Sequence, residues 1–446
     1  MKTVIAVHHF PPRHMAGAEL RAYDAAAWLL RHGYDVDVVC VERVDSGPEG
    51  RVICEDDIYQ GIPVHRLSFD MAGAPDPQRW EYDNPWIETY MQGFLAAQRP
   101  DVLHLISGYL MGAGTLRAAT AQDIPIVISL TDFWFLCPRV NFLRPDGRLA
   151  ACDQFDAAAC TRCACEEKRR FRIPAAVAPG VADRFWDGAL DRRLGKALGL
   201  PEIAARLEQR HVALMDMLSA ADALICPSRF LLERFRVRGV DPTQLVLNTH
   251  GLDTSGWLPA PDAGTSDGKL RVGYLGQIHP HKGVHLLVEA FTRLPPGTPL
   301  ELVIYGDATA DREYARRLTK LARGDDRIKW MGRYQPSQVA QVLADIDVLV
   351  IPSTWNEIGP LVMYEALHTK TPVVASDIPN MSYVVEHGRN GLLFSCGSSA
   401  DLATKLQQLL DDASLLPRLR EGIEPVKSMD EEMAQIASLY QSVVRR

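Results

Sequence analysis

Nothing in this 446-residue sequence approaches the ~20 consecutive apolar residues that a bilayer-spanning helix needs; its clean apolar runs are of the length of Ile124 to Leu130. No transmembrane helix is expected. An excess of basic charge is also lacking: 48 Lys and Arg stand against 56 Asp and Glu, for a net charge of −8 shared by both halves of the chain. A nucleic-acid grip is therefore not expected. The first residues, MKTVIAVHHFPP, lack the charged, apolar and cleavage regions of a secretory signal, which points to a cytoplasmic location. No GxxxxGK[ST] run is present, so a P-loop is excluded. Nine cysteines are too sparse for a disulfide framework. Five of them, however, fall between Cys137 and Cys165.

What is present is the composition of an ordinary folded chain, 47% hydrophobic and 23% charged, long enough for two domains. Short β-branched runs alternate with helical patterns: Thr3 to Val7, Ala18 to His32, Asp35 to Val41, Val102 to Ile106, Ile124 to Leu130, Ala223 to Cys226, Ser228 to Arg238. Such alternation predicts an α/β unit with a parallel sheet. The Pro- and Gly-rich segment Gly256 to Gly268 reads as an exposed connection, after which the rhythm restarts with strands at Leu270 to Leu275, Leu300 to Ile304, Ile328 to Trp330, Val348 to Ile351 and Pro372 to Ala375. The expected fold class is α/β, with two tandem Rossmann-like doubly wound domains: residues 1–255, carrying an insertion at about 137–210, and residues 256–427. Ligands of such sheets bind at the carboxyl ends of the strands, so the active site is expected in the cleft that two of them would form.

The segment following Ile351 carries the most chemistry. Glu357 is presented by a loop and Glu365 stands eight positions on, in a helix expected to start near Ile358. Along a helix that spacing is ~12 Å, too far for an acid and base pair at one bond but suited to the two ends of a long polar ligand. The N–H groups of Gly359 and Leu361, with Pro360 between them, suit a phosphate at a helix start. In GYLGQIHPHKG, Lys282 precedes the next helix and can neutralise a diphosphate leaving group. The pair Asp345 and Asp347 forms a DxD, read as strand-edge residues and not as a metal site.

These segments, GQIHPHKG, IYGD, MGRYQPSQVAQVLADIDVLVIPS, the two glutamates spaced ExxxxxxxE, EALHTKTPVVASDIPN and HGRNGLLF, resemble the nucleotide-sugar-binding domain of the retaining glycosyltransferases of family 4, of GT-B fold. HHFPPRHMAGAE, LTDFWFLCPR, CPSRFLLERF and HGLD extend the resemblance through the first domain. It implies a phosphate-binding role for Lys282, a donor-sugar contact for Glu357 and a ribose contact for Glu365. Ile358 to Leu361, that is Ile358, Gly359, Pro360 and Leu361, would supply further donor contacts, and Gly17 would let the diphosphate approach. Asp132 falls in the first-domain loop where the family places a catalytic contact. The final helix, about 428–446, would pack back on the first domain.

Three positions depart from the family. Gln277 stands where arginine usually accompanies the lysine, which shifts leaving-group stabilisation onto Lys282, helix ends or another arginine such as Arg333. Thr131 replaces a histidine before Asp132, and Lys370 replaces a turn glycine. The implied activity is transfer of a sugar with retention from a nucleotide diphosphate sugar, a UDP-sugar among the candidates, to an acceptor hydroxyl of a surface glycan or lipid-linked saccharide. Alternatives are a GT-B nucleotide-sugar epimerase and a non-catalytic binding protein derived from this fold.

That chemistry requires no cofactor. The spacing of Cys137, Cys152 and the CxxC of Cys160 and Cys163 suits either a tetrahedral structural zinc or free thiols, with a disulfide or redox pair as further readings. In TRCACEEKRRFR five basic residues meet two acidic ones beside the apolar IPAAVAPGVA. This reads as a solvated face or as a peripheral contact with an anionic membrane surface.

Overall fold

The computed structural model describes all residues except 48–49, 146–151, 259–267, 323 and 446. The expected connection Gly256 to Gly268 lies largely outside the described residues. Among the described residues the chain forms two compact units: one of residues 1–145, 152–249 and 430–445, the other of residues 250–429.

The first unit is built on eight strands: β1 (Lys2–Val7), β2 (Asp35–Arg43), β3 (Ile53–Tyr59), β4 (Ile62–Ser68), β5 (Val102–Ile106), β6 (Ile126–Ser129), β7 (Ala223–Cys226) and β8 (Leu245–Leu247). Their order is β3-β4-β2-β1-β5-β6-β7-β8, parallel throughout except for the β3–β4 hairpin. Because helices cover both faces of such a sheet, its central strands are continuous apolar runs, and Val4 to Val7 are fully buried. Between β6 and β7 the crossover is elaborated into a series of helices running from Ala157–Glu166 to Leu200–Ser219. Asp156 caps the first of these by accepting from the Ala159 N–H at 2.8 Å.

The second unit has six parallel strands, β9 (Leu270–Leu275), β10 (Leu300–Tyr305), β11 (Ile328–Gly332), β12 (Val348–Ile351), β13 (Val373–Asp377) and β14 (Gly391–Ser395), in the order β11-β10-β9-β12-β13-β14. With β9 as the first strand this is the 3-2-1-4-5-6 arrangement of a doubly wound dinucleotide-binding sheet. Alternation along the strands sends Val272, Tyr274, Val348 and Val350 into one core and Leu275, Leu349 and Ile351 into the other. Asp347 sits at the foot of β12, accepting from the Arg271 N–H at 2.9 Å and from Arg420 at 3.3 Å. Lys370, where a glycine was noted as usual, adopts φ 60°, the left-handed conformation that favours glycine.

The helix Met429–Val444 returns to the first unit and is fastened by polar bonds as well as by packing. Trp28 Nε1 donates to Asp430 at 2.6 Å, Arg21 pairs with Glu432, and the Asn248 amide donates to the Glu432 carbonyl at 3.2 Å. Deeper in, the fully buried Tyr440 hydroxyl lies 2.6 Å from His104 Nδ1, whose Nε2 is 2.7 Å from Ser129 Oγ. Burial holds that imidazole neutral, its pKa lowered to about 3, so one ring nitrogen donates and the other accepts. Tyr440→Phe would strand a buried ring nitrogen and is expected to cost about 1–3 kcal/mol in denaturant unfolding. An unchanged unfolding midpoint would show that the bond carries no weight.

Candidate functional site

In a doubly wound sheet the crossovers leave in opposite directions from the two strands at the reversal of strand order, which opens a crevice at their carboxyl ends. In the second unit those strands are β9 and β12, and the sequence places its most distinctive residues directly after them. Beyond β9 the chain runs through Gly276 and the exposed Gln277 to a single turn, Pro280–Lys282, closed by Gly283 at φ 71°. A Cβ on Gly283 would stand 1.8 Å from the Pro352 carbonyl oxygen, so glycine is required for the close approach of the two loops as well as for the turn.

That approach brings Lys282 to Glu357. Lys282 Nζ donates to Glu357 Oε1 at 2.7 Å, and Ser353 Oγ donates to the same oxygen at 2.7 Å. Glu357 is buried, and Lys282 supplies the opposite charge that offsets the cost of burying a carboxylate. Lys282 also lies 5.2 Å over the Trp355 ring, which the His281 ring meets edge-on at 4.9 Å. Burial foremost, then the neighbouring His279 and Lys282, lowers His281 to about 4 and keeps it neutral. Asn380 donates to the Glu357 carbonyl and fixes the loop from behind. Trp355 Nε1, Asn356 Oδ1 and, from the short helix Pro379–Ser382 behind that loop, Asn380 Oδ1 are buried polar atoms without a partner among the described residues.

The helix beyond begins at Leu361, later than the Ile358 start expected from the sequence. Pro360 is the reason: its ring disfavours the helical conformation of Gly359, and Pro360 itself is extended at ψ 114°. Glu357 therefore lies in the loop ahead of the helix, and the along-helix spacing of ~12 Å does not apply to the two glutamates. Ile358, Gly359 and Pro360 are partly exposed, Leu361 more so. Glu365, in the second turn, is largely enclosed near Tyr334 and has no side-chain partner among the described residues. Arg333 is not brought to Lys282; it is exposed and paired with Asp307.

In the first unit the reversal of strand order falls between β1 and β5, and a second polar cluster sits there. His8, just beyond β1, has Nε2 3.3 Å from Glu19 Oε1, and Tyr109 stacks edge-on against its ring at 5.9 Å. Burial raises the Glu19 carboxyl, but the His8 hydrogen bond and the backbone together hold it below the usual carboxylate range. His8 Nδ1, Glu19 Oε2, Ser107 Oγ and Thr131 Oγ1 are buried without partners among the described residues. Ser107 and Leu110, beyond β5, take positive φ angles of 66° and 62°, strain of the kind retained at working sites. Asp132 follows β6 and accepts from the Trp134 N–H at 2.8 Å; burial pushes its carboxyl up. Arg210, itself largely buried, donates to the Trp134 carbonyl at 2.7 Å and faces Asp132. Gly17 opens the helix Gly17–Arg31, and a Cβ there would meet nothing within 4 Å. His8, Glu19 and Arg210 were not singled out from the sequence, although a histidine doublet directly after the first strand was the available signal.

Residues 260–424 match the family of glycosyl transferases group 1, and residues 16–165 match the glycosyl transferase 4-like domain. The structure superposes on the Anabaena protein HepE in complex with UDP and glucose with a TM-score of 0.62 at 18% identity, covering 99% of this chain and 100% of that one. On sucrose-phosphate synthase from Thermosynechococcus elongatus the TM-score is 0.65 at 18% identity, with 99% of each chain covered. The chain has the GT-B glycosyltransferase fold. Curated relatives of this GT-B chain include D-inositol 3-phosphate glycosyltransferase of Corynebacterium efficiens, 28% identical over 52% of this chain and 59% of that protein. Alpha-maltose-1-phosphate synthase of Mycolicibacterium smegmatis is 31% identical over 39% of this chain and 48% of its own length. The chain thus spans about half the length of the curated relatives it matches.

Burial raises the Glu365 carboxyl to about 7. Between its ordinary value of 4.5 and 7 the folded protein holds a proton that the unfolded chain has released, so this group removes stability as pH rises through that window. Glu365→Gln is expected to raise the melting temperature at pH 8 and to leave it unchanged at pH 4. An equal effect at both pH values would show that the carboxylate is not held against its charge.

Proposed function

We propose that this protein is a retaining hexosyltransferase that moves a sugar from a nucleotide diphosphate sugar to an acceptor hydroxyl in surface polysaccharide or lipid-linked glycan synthesis. The observation that carries the reading is the Lys282–Glu357–Ser353 network at the carboxyl ends of β9 and β12. The matches to two glycosyltransferase families support it, as does the presence of UDP in the related HepE structure.

In this reading Lys282 meets the diphosphate, the N–H groups of Gly359 and Leu361 add further contacts to the donor, and Gln277 contributes a polar but uncharged one. Glu357 orients the sugar and Glu365 accepts from the ribose hydroxyls. The acceptor falls to the first unit, where Asp132, His8 and Glu19 offer hydroxyl-binding groups. In the transfer itself the bond from the anomeric carbon to the phosphate oxygen breaks while the acceptor oxygen bonds to the same face of the sugar. The departing phosphate takes the acceptor proton, so no protein nucleophile and no metal is called for. The work left to the protein is charge stabilisation by Lys282 and exclusion of water.

The helices Arg169–Val177 and Pro179–Trp186 expose Ile173, Val177 and Val181 next to Lys168, Arg169, Arg170 and Arg172. Apolar side chains flanked by cations suit peripheral contact with an anionic bilayer, where a lipid-linked acceptor would reside.

A thermal-shift panel of nucleoside diphosphates and nucleotide sugars tests the donor. One nucleotide is expected to stabilise the protein by about 2.7 kcal/mol at a hundred times its Kd, and Glu357→Gln is expected to retain that nucleotide while losing transfer. No response to any nucleotide would overturn the reading. Co-sedimentation with phosphatidylserine vesicles tests the surface: Val177→Asp with Val181→Asp is expected to release the protein, and binding that persists unchanged in the double variant removes the membrane from the proposal.

A further inference from the structure

Cys137, Cys152, Cys160 and Cys163 come from three separate segments of the first unit. Cys137 belongs to the turn after Asp132, its N–H bonded to the Phe133 carbonyl at 2.8 Å. Cys152 lies in the loop ahead of the helix Ala157–Glu166, and Cys160 and Cys163 are three residues apart on that helix, on one face. All four are partly buried and none is in a disulfide. Cys137, Cys152 and Cys163 lie close enough to Cys160 to raise its thiol further, after burial, so the four sulfurs share one electrostatic neighbourhood. Among the described residues, no three of them come within 4.8 Å of one another, so closing a tetrahedron requires side-chain rotation.

A second observation comes from Arg238. This guanidinium is anchored by Nη2 to the Cys152 carbonyl at 3.0 Å, and its buried Nη1 has no partner among the described residues. The groups it faces are Cys152, Cys160 and Cys137, with the cation Arg234 next; no carboxylate stands among these strongest neighbours. Arg144 is a further cation close enough to Cys152 and Cys163 to draw their thiols down against burial. Neutral thiols are weak acceptors and leave the buried Nη1 of this partly buried cation unsatisfied. Thiolates reverse this, accepting from Nη1 and supplying negative charge.

We infer that these four cysteines bind a structural zinc ion, with Arg238 donating a hydrogen bond to a ligand sulfur. Zinc would displace four thiol protons to solvent and leave a site of net charge −2 facing the arginines. Four thiolates fill a closed tetrahedral site with Zn–S bonds of about 2.3 Å. The rival three-residue group, Cys54, Asp56 and His65, is already satisfied without metal: the His65 ring sits 2.6 Å from Asp56 and 3.2 Å from Asp37, which hold it protonated. The zinc would tie the Asp132 turn to the helix Ala157–Glu166 and, through Arg238, to the end of the helix Arg229–Val237. This goes beyond the proposed transfer chemistry and does not depend on it.

Elemental analysis of the full chain purified without chelator is expected to give about one zinc per chain. X-ray absorption at the zinc edge is expected to show an all-sulfur first shell. Cys160→Ser with Cys163→Ser is expected to abolish the metal, whereas Cys54→Ser and Cys396→Ser retain it. Arg238→Met is expected to weaken zinc about tenfold against a competing chelator. Should the double cysteine variant fail to fold, the absorption spectrum of the native protein decides. Absence of zinc with all nine thiols open to alkylation, iron with sulfide in its place, nitrogen or oxygen ligands, or zinc that survives the double variant would each overturn the inference.

Discussion

Parallel strands must be joined by crossovers, and a sheet wound in both directions from its centre cannot cover the carboxyl ends of the two strands where the winding reverses. Both units of this chain depend on that constraint. In one, β9 and β12 deliver Lys282 and Glu357 from segments 75 residues apart to a single hydrogen bond. In the other, β1 and β5 leave His8 and Ser107 at the same end of the sheet. The packed cores supply rigidity. What they support is a small set of polar groups held in place before any ligand arrives.

Those groups are costly to hold. Glu357 is stable in its buried loop because Lys282 and Ser353 satisfy one oxygen and Asn380 secures the backbone behind it. Glu365 lacks such company, and its carboxyl is pushed to about 7 by burial alone. Orphaned atoms at Trp355, Asn356, Asn380, His8, Glu19, Ser107 and Thr131 gather at the two strand reversals, although others occur elsewhere in the chain. A folded chain tolerates such deficits where binding or chemistry makes use of them.

The apolar strands were legible because fully buried parallel strands are written as unbroken β-branched runs; β5, β7, β9 and β12 fall on the residues read from sequence. The β3–β4 hairpin was not, since ICEDDIY is an edge strand whose charged residues face solvent and carry no apolar period. The late start of the helix at Leu361 is a local effect of one proline, outweighed in the sequence by the apolar pattern around it. Glu357, Lys282 and Glu365 were singled out as candidates through motif spacing. The His8–Glu19 contact was not, because it joins a strand end to the following helix and only the fold reveals that the two side chains meet.

The helix Met429–Val444 belongs to the first unit, yet its residues follow the whole of the second unit along the chain and leave the ribosome after it. Until they emerge, His104 has no Tyr440 to meet, and Trp28 and Arg21 have no acidic partners. The amino-terminal unit, nominally first to be made, therefore waits for the second to be synthesised before it can be finished. Nascent chains of this protein carry an incomplete first unit until that helix emerges, a period in which such chains depend on protection from aggregation.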